Sequence, residues 1–124
     1  MKIRIKGNSI RFRLTQSEVK TLTETGSIEE QTLFESHSFI YAVKMVEEQN
    51  EMTAIFANDK IILNVPKAQL ENWYSNEIVG FENIQKLSNG SRLSLLLEKD
   101  FTCLDNRIED QTDNYPNPKA TAKT

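Results

Sequence analysis

Three observations predict an α+β fold of eight mainly antiparallel strands and two short helices, rolled into a barrel or folded as a sandwich. Apolar and polar residues alternate in short runs separated by turn pairs, the period-2 signature of half-buried strands. Two apolar stripes at helical spacing, each preceded by a helix-start signal, interrupt those runs. The second half of the sequence also repeats the order of the first, so that Met1 falls on Met52, Ile5 on Phe56, Gly7-Asn8 on Asn58-Asp59, Phe12 on Leu63, Leu22 on Trp73 and Ile28 on Val79. The agreement runs without a gap and predicts a duplicated hairpin–helix–hairpin unit, with pseudo-repeats at 1–47 and 52–100.

The opening stretch sets the pattern. Gly7-Asn8 between alternating runs predicts a two-residue hairpin turn, because both residues accept the positive φ that strand twist demands there. Pairing outward from it puts Lys6 opposite Ser9, Ile5 opposite Ile10, Arg4 opposite Arg11, Ile3 opposite Phe12 and Lys2 opposite Arg13. Side chains alternate faces along a strand, so Ile3, Ile5, Ile10, Phe12 and Leu14 share one side, and Lys2, Arg4, Lys6, Arg11 and Arg13 share the other.

Thr15 and Glu18 form a reciprocal capping box that starts a helix through Val19 and Leu22, and Gly26 stops it. Residues Ile28 to Phe34 and Ser38 to Val46 read as strands, and Glu47 to Glu51 as a loop. Met52 to Val65 repeats the hairpin about Asn58-Asp59. Pro66 opens a helix whose buried stripe is Leu70, Trp73 and Tyr74, with Asn76 as its C-cap. Val79 to Leu87 and Arg92 to Asp100 form a last hairpin about Asn89-Gly90, in a register that faces Ile84 with Leu95. The run Leu95-Leu96-Leu97 predicts a strand partly covered on both faces.

Composition bounds the function classes. The chain has 124 residues and a net charge of −3, with an isoelectric point near 5.2, which argues against nucleic-acid binding by the whole surface. Its apolar runs fall well short of the roughly 20 residues of a membrane helix, and its charged start is unlike a signal peptide. A cytoplasmic protein without membrane contact is the expectation. The single cysteine, Cys103, has no partner for an internal disulfide, in keeping with a reducing compartment. The domain is expected to span 1–104, followed by an acidic, Pro-containing tail at 105–124 whose end, from Lys119, is expected to be disordered.

The charge asymmetry between the two hairpins is the functional clue. The outward face of the second carries Thr53, Ile55, Ala57, Lys60, Ile62 and Asn64, so the cationic face is a specialisation of the first. Arginine opposite arginine costs roughly 0.2–1 kcal/mol per pair unless something neutralises it. Lys2, Arg4, Lys6, Arg11 and Arg13 are therefore the candidate binding residues, and a phosphate-containing small molecule or an acidic protein surface is the expected partner. The function expected from these residues is that of a non-enzymatic binding or regulatory module. Pairing of two protomers through the exposed hairpin is a further expectation.

The rival reading is a metal-dependent phosphohydrolase. Asp105, Glu109, Asp110 and Asp113 offer oxygen ligands for Mg²⁺ or Ca²⁺, though without the glycine and regular spacing of a calcium loop. The same carboxylates can instead latch the tail over the basic hairpin, with Ile108 and Tyr115 as anchors. Cys103 and His37, with Asp105, offer a zinc set or a nucleophile–base pair, and nothing in the sequence places them together. No phosphate-binding glycine loop, dinucleotide fingerprint or nucleophile elbow is present, so no cofactor and no catalytic residue is assigned.

The stretches Lys2-Ile3-Arg4-Ile5-Lys6-Gly7-Asn8-Ser9-Ile10-Arg11 and Glu109-Asp110-Gln111-Thr112-Asp113-Asn114-Tyr115-Pro116-Asn117-Pro118 resemble those of a family of small uncharacterised bacterial proteins, and the resemblance covers most of the chain. It implies no activity, since that family has none assigned. A weaker likeness is to the triphosphate tunnel enzymes, antiparallel barrels with internal symmetry that hold triphosphates among basic side chains. Those enzymes open with alternating metal-binding glutamates where this chain has Lys2, Arg4 and Lys6. The likeness therefore does not carry triphosphatase activity over.

Overall fold

The computed structural model describes residues 1–101 and 112–116. Its elements are β1 (Lys2–Lys6), β2 (Ser9–Leu14), α1 (Gln16–Thr25), β3 (Ser27–Leu33), β4 (Ser38–Val46), β5 (Thr53–Ala57), β6 (Lys60–Pro66), α2 (Lys67–Leu70), β7 (Gly80–Lys86) and β8 (Arg92–Lys99). They form two four-stranded sheets, β1-β2-β8-β7 and β3-β4-β6-β5. Each sheet joins two antiparallel hairpins through a central parallel pair, β2 with β8 and β4 with β6. Of the expected barrel or sandwich, no closed barrel is seen; four of the six strand pairs are antiparallel, and the parallel pair at the centre of each sheet makes both sheets mixed.

The sheets are joined unevenly. Along one edge the Asn83 amide donates to Met52 O at 2.8 Å and the Gln85 side-chain oxygen accepts the Ala54 N–H at 2.8 Å, so polar side chains of β7 satisfy backbone groups at β5. At the end carrying the β1–β2 and β5–β6 turns the sheets part. They leave an apolar cleft of about 330 Å³ lined by Ile5, Ile10, Phe39, Phe56, Ile61 and Leu93 among others.

Turn chemistry sets the hairpin registers. The first hairpin pairs Lys6 with Ser9 and Arg4 with Arg11, as its sequence predicts. Gly7 alone of its two turn residues takes positive φ, at 53°, as a type II′ turn requires. Asn58 and Asp59 are both positive, at 53° and 61°, the type I′ pattern. The third hairpin departs from expectation, with Ile84 opposite Ser94 and Asn83 opposite Leu95. Its loop has three residues rather than two, because Leu87 N–H bonds Ser91 O at 2.8 Å and Gly90 N–H returns to Leu87 O at 3.0 Å. Gly90, with φ of 90°, supplies the left-handed residue that ends such a loop.

Phe12, Leu14, Val43, Leu63, Val65, Leu95 and Leu97 bring the inner faces of both sheets together. Helix α1 adds Val19 and Leu22, and the segment around α2 adds Leu70 and Trp73. Each such side chain fully buried is worth about 1.5–3 kcal/mol of transfer free energy. Glu18 accepts the Thr15 N–H at 2.9 Å, and Gly26, at φ 91°, caps the far end through Leu22 O. The Met1 ammonium sits against Glu18 and against Glu30, the latter at 3.2 Å, tying β1 to α1 and β3.

The second helix is shorter than its apolar stripe predicts. Pro66 is its N-cap and Glu71 its C-cap, and Asn72, at φ 62°, turns the chain out of the helical path. Trp73 still reaches the core, and its indole N–H bonds Ile78 O at 2.8 Å.

Residues 112–116 complete the helical end. Gln16 N–H bonds Asp113 O at 3.0 Å and Tyr115 N–H bonds Asp100 O at 2.8 Å, while the Tyr115 ring lies in the core. The latch over the basic hairpin is thus not where these residues sit. Cys103, Asp105, Ile108, Glu109, Asp110 and the stretch from Lys119 lie outside the described residues.

Candidate anion-binding site

The β1–β2 register puts Lys2, Arg4, Lys6, Arg11 and Arg13 on one surface, the outer face of the first sheet. The parallel partner extends it, since Ser9 pairs with Ser94, Arg11 with Leu96 and Arg13 with Glu98. Beyond β8, Lys86 stands opposite Arg92 and Glu82 opposite Leu96. One face therefore carries Lys2, Arg4, Lys6, Arg11, Arg13, Lys86 and Arg92, against Glu82 and Glu98.

Two of these cations meet carboxylates of the same chain. Arg11 Nε donates to Glu98 Oε1, and Lys2 Nζ lies 3.2 Å from Asp100 Oδ2. Asp100 is itself buried, with 4% of its surface exposed, so Lys2 is a neutralising partner for a carboxylate that burial penalises. Among the described residues Arg4, Lys6, Arg13, Lys86 and Arg92 form no ion pair. Lys2, Ile3, Arg4, Arg11 and Arg13 line a cavity of about 290 Å³. Its geometry suits an oxyanion, because guanidinium forks offer paired N–H donors and a rigid sheet holds them at low entropic cost.

A scan of the chain against protein-family models matches residues 1–119 to a family of unknown function, DUF7009. The chain belongs to that family. The DUF7009 match spans both stretches that carried the resemblance noted above, and no curated protein and no solved structure matches the chain.

Of the rival metal site's four carboxylates in this DUF7009 chain, Asp113 alone lies among the described residues. Asp113 is engaged at the start of α1, accepting the Ser17 N–H at 3.3 Å and the Ser17 hydroxyl. The Ser17 hydroxyl foremost, with that of Thr15, holds its carboxyl below the usual range. His37 bonds Ser36 at 2.9 Å on an exposed turn. Among the described residues no three His, Cys, Asp or Glu side chains cluster to hold a metal; Asp105, Glu109, Asp110 and Cys103 lie outside them.

Sequence reasoning missed Lys86 and Arg92. Both flank the Asn89-Gly90 turn, but their membership of the basic face follows from the parallel β2–β8 pair, for which the sequence carries no local signal.

Proposed function

We propose that this chain is a binding module whose first sheet presents its cationic outer face to an anionic ligand, with phosphate groups as the best-fitting chemistry. The observation that carries this reading is Arg4 directly opposite Arg11 beside a cavity those residues line with Lys2, Ile3 and Arg13. Like charges held this close are tolerated at a cost of up to roughly 1 kcal/mol in the free protein, and a bound oxyanion reverses its sign. No aromatic side chain belongs to the outward registers of this sheet, which favours phosphate over stacked bases.

The same reading takes the chain as a duplicated hairpin–helix–hairpin unit. It is supported by each sheet joining one hairpin from each half through a parallel pair. On that view the cations of β1 and β2 were added to one copy only.

Thermal shift with tripolyphosphate, with and without Mg²⁺, at low and high salt, tests the proposal. Stabilisation without metal, weakened by salt and by the Arg4→Ser variant, is the expected result. Stabilisation only with Mg²⁺ and release of phosphate would instead select the phosphohydrolase reading.

A further inference from the structure

The end of the molecule that carries the helices holds a second polar site, independent of the basic face. Along β8 the alternation Leu93, Leu95, Leu97 continues to Lys99, so the period of the strand turns a lysine inward. Lys99 is 4% exposed. Its ammonium donates to Asn76 O at 2.6 Å and lies 4.9 Å from the Tyr115 ring centroid and 5.7 Å from that of Trp73. Those contacts satisfy part of the charge. Among the described residues no carboxylate pairs with it, and burial pushes the ammonium's pKa down.

Tyr115 is the second observation. It is 8% exposed, and its hydroxyl is buried without a hydrogen-bond partner. A buried hydroxyl left unpaired costs about 1–3 kcal/mol, and such groups are rare. Lys99 and Tyr115 line the same cavity, of about 510 Å³, with Asn76, Glu77, Val79, Phe101 and Pro116. A buried ammonium that pairs with no carboxylate among the described residues, and a tyrosine whose hydroxyl is buried without a partner, thus line one space.

We propose that this cavity binds a small organic monocarboxylate, its carboxylate accepting from the Lys99 ammonium and the Tyr115 hydroxyl and its apolar body lying against Val79, Phe101 and Pro116. A carboxylate supplies both missing partners at once, a charge for Lys99 and an acceptor for Tyr115. The apolar walls match a hydrocarbon body, and the volume falls in the range of small-molecule sites. Glu77, exposed and lining the same cavity, repels a second negative charge, which favours a monoanion over phosphate or a dicarboxylate.

Trp73 is the chain's single tryptophan and lies within reach of the Lys99 ammonium, so its emission reports the site. Hexanoate and benzoate, their neutral amides, and inorganic phosphate are titrated separately against the full chain. A saturable change in Trp73 emission with at least one of the two carboxylates, and with neither amide nor phosphate, is expected. Tyr115→Phe removes a buried hydroxyl that has no partner, so it leaves the Tm at or above the wild-type value while weakening the carboxylate about tenfold. Lys99→Met abolishes the response, and should that variant not fold, Tyr115→Phe decides. Arg4→Ser leaves the response unchanged, which separates this site from the basic face. The proposal is overturned if neither carboxylate saturates, if the amides or phosphate do as well, or if Tyr115→Phe binds as tightly as wild type.

Discussion

Arg4 and Arg11 stand directly opposite each other across the β1–β2 ladder, yet among the described residues only Arg11 has a carboxylate, that of Glu98, in contact. The two arginines therefore differ in what their removal does. Arg4→Thr relieves repulsion and is expected to raise stability by about 0.5 kcal/mol at low salt. Arg11→Thr strands the half-buried Glu98 and is expected to lower it by about 1 kcal/mol. Urea unfolding of both variants at low and high salt checks the pair, and salt should shrink the first effect.

Gly80 is required by close approach, not by positive φ. A Cβ there meets Leu97 O at 2.2 Å and Glu98 Cα at 2.8 Å, both backbone atoms that cannot step aside. Gly80→Ala is expected to cost about 2–3 kcal/mol by forcing β7 away from β8. The loss shows as a lower urea midpoint.

Tyr115 gives the alkaline limb a defined sign. Burial holds its hydroxyl protonated up to about 12, against 10.0 for the free side chain. Between those values the unfolded chain has released the proton and the folded one has not, so the stability it contributes is complete below pH 10 and is lost as pH rises toward 12. Tyr41, also raised by burial and by its bond to Glu30, acts in the same direction. Tyr115→Phe is expected to flatten the fall in urea midpoint over this range.

Asp113 sets the opposite limb. Its folded pKa is lowered from 3.8, chiefly by the Ser17 hydroxyl, so its contribution is present above that unfolded value and lost as pH falls through the folded one. Asp113→Asn is expected to flatten the acid limb modestly, since the side chain is exposed and screened. Circular dichroism across an acid titration measures it.

The legible parts of the fold are those that local chemistry decides. Gly7-Asn8 and Asn58-Asp59 each leave room for one two-residue turn, and so specified the face shared by Lys2, Arg4, Lys6, Arg11 and Arg13. Asn89-Gly90 admits two loop lengths, and the longer one, with Gly90 alone left-handed, moves Ile84 from Leu95 to Ser94. Leu70, Trp73 and Tyr74 have helical spacing, but Asn72 at positive φ breaks the helix and Trp73 is buried without it. The pairing of β2 with β8 joins residues from opposite ends of the sequence, so the places of Lys86 and Arg92 on the basic face were not legible.

The most direct test of the cationic face is an NMR titration of the full chain with tripolyphosphate at low salt, following backbone amides and arginine Nε–H groups. Saturable shifts confined to β1, β2 and the Lys86–Arg92 region, with the largest at Arg4, Arg11 and Arg13, are the predicted result. Shifts absent there, or equal to those at the β5–β6 turn, would contradict it.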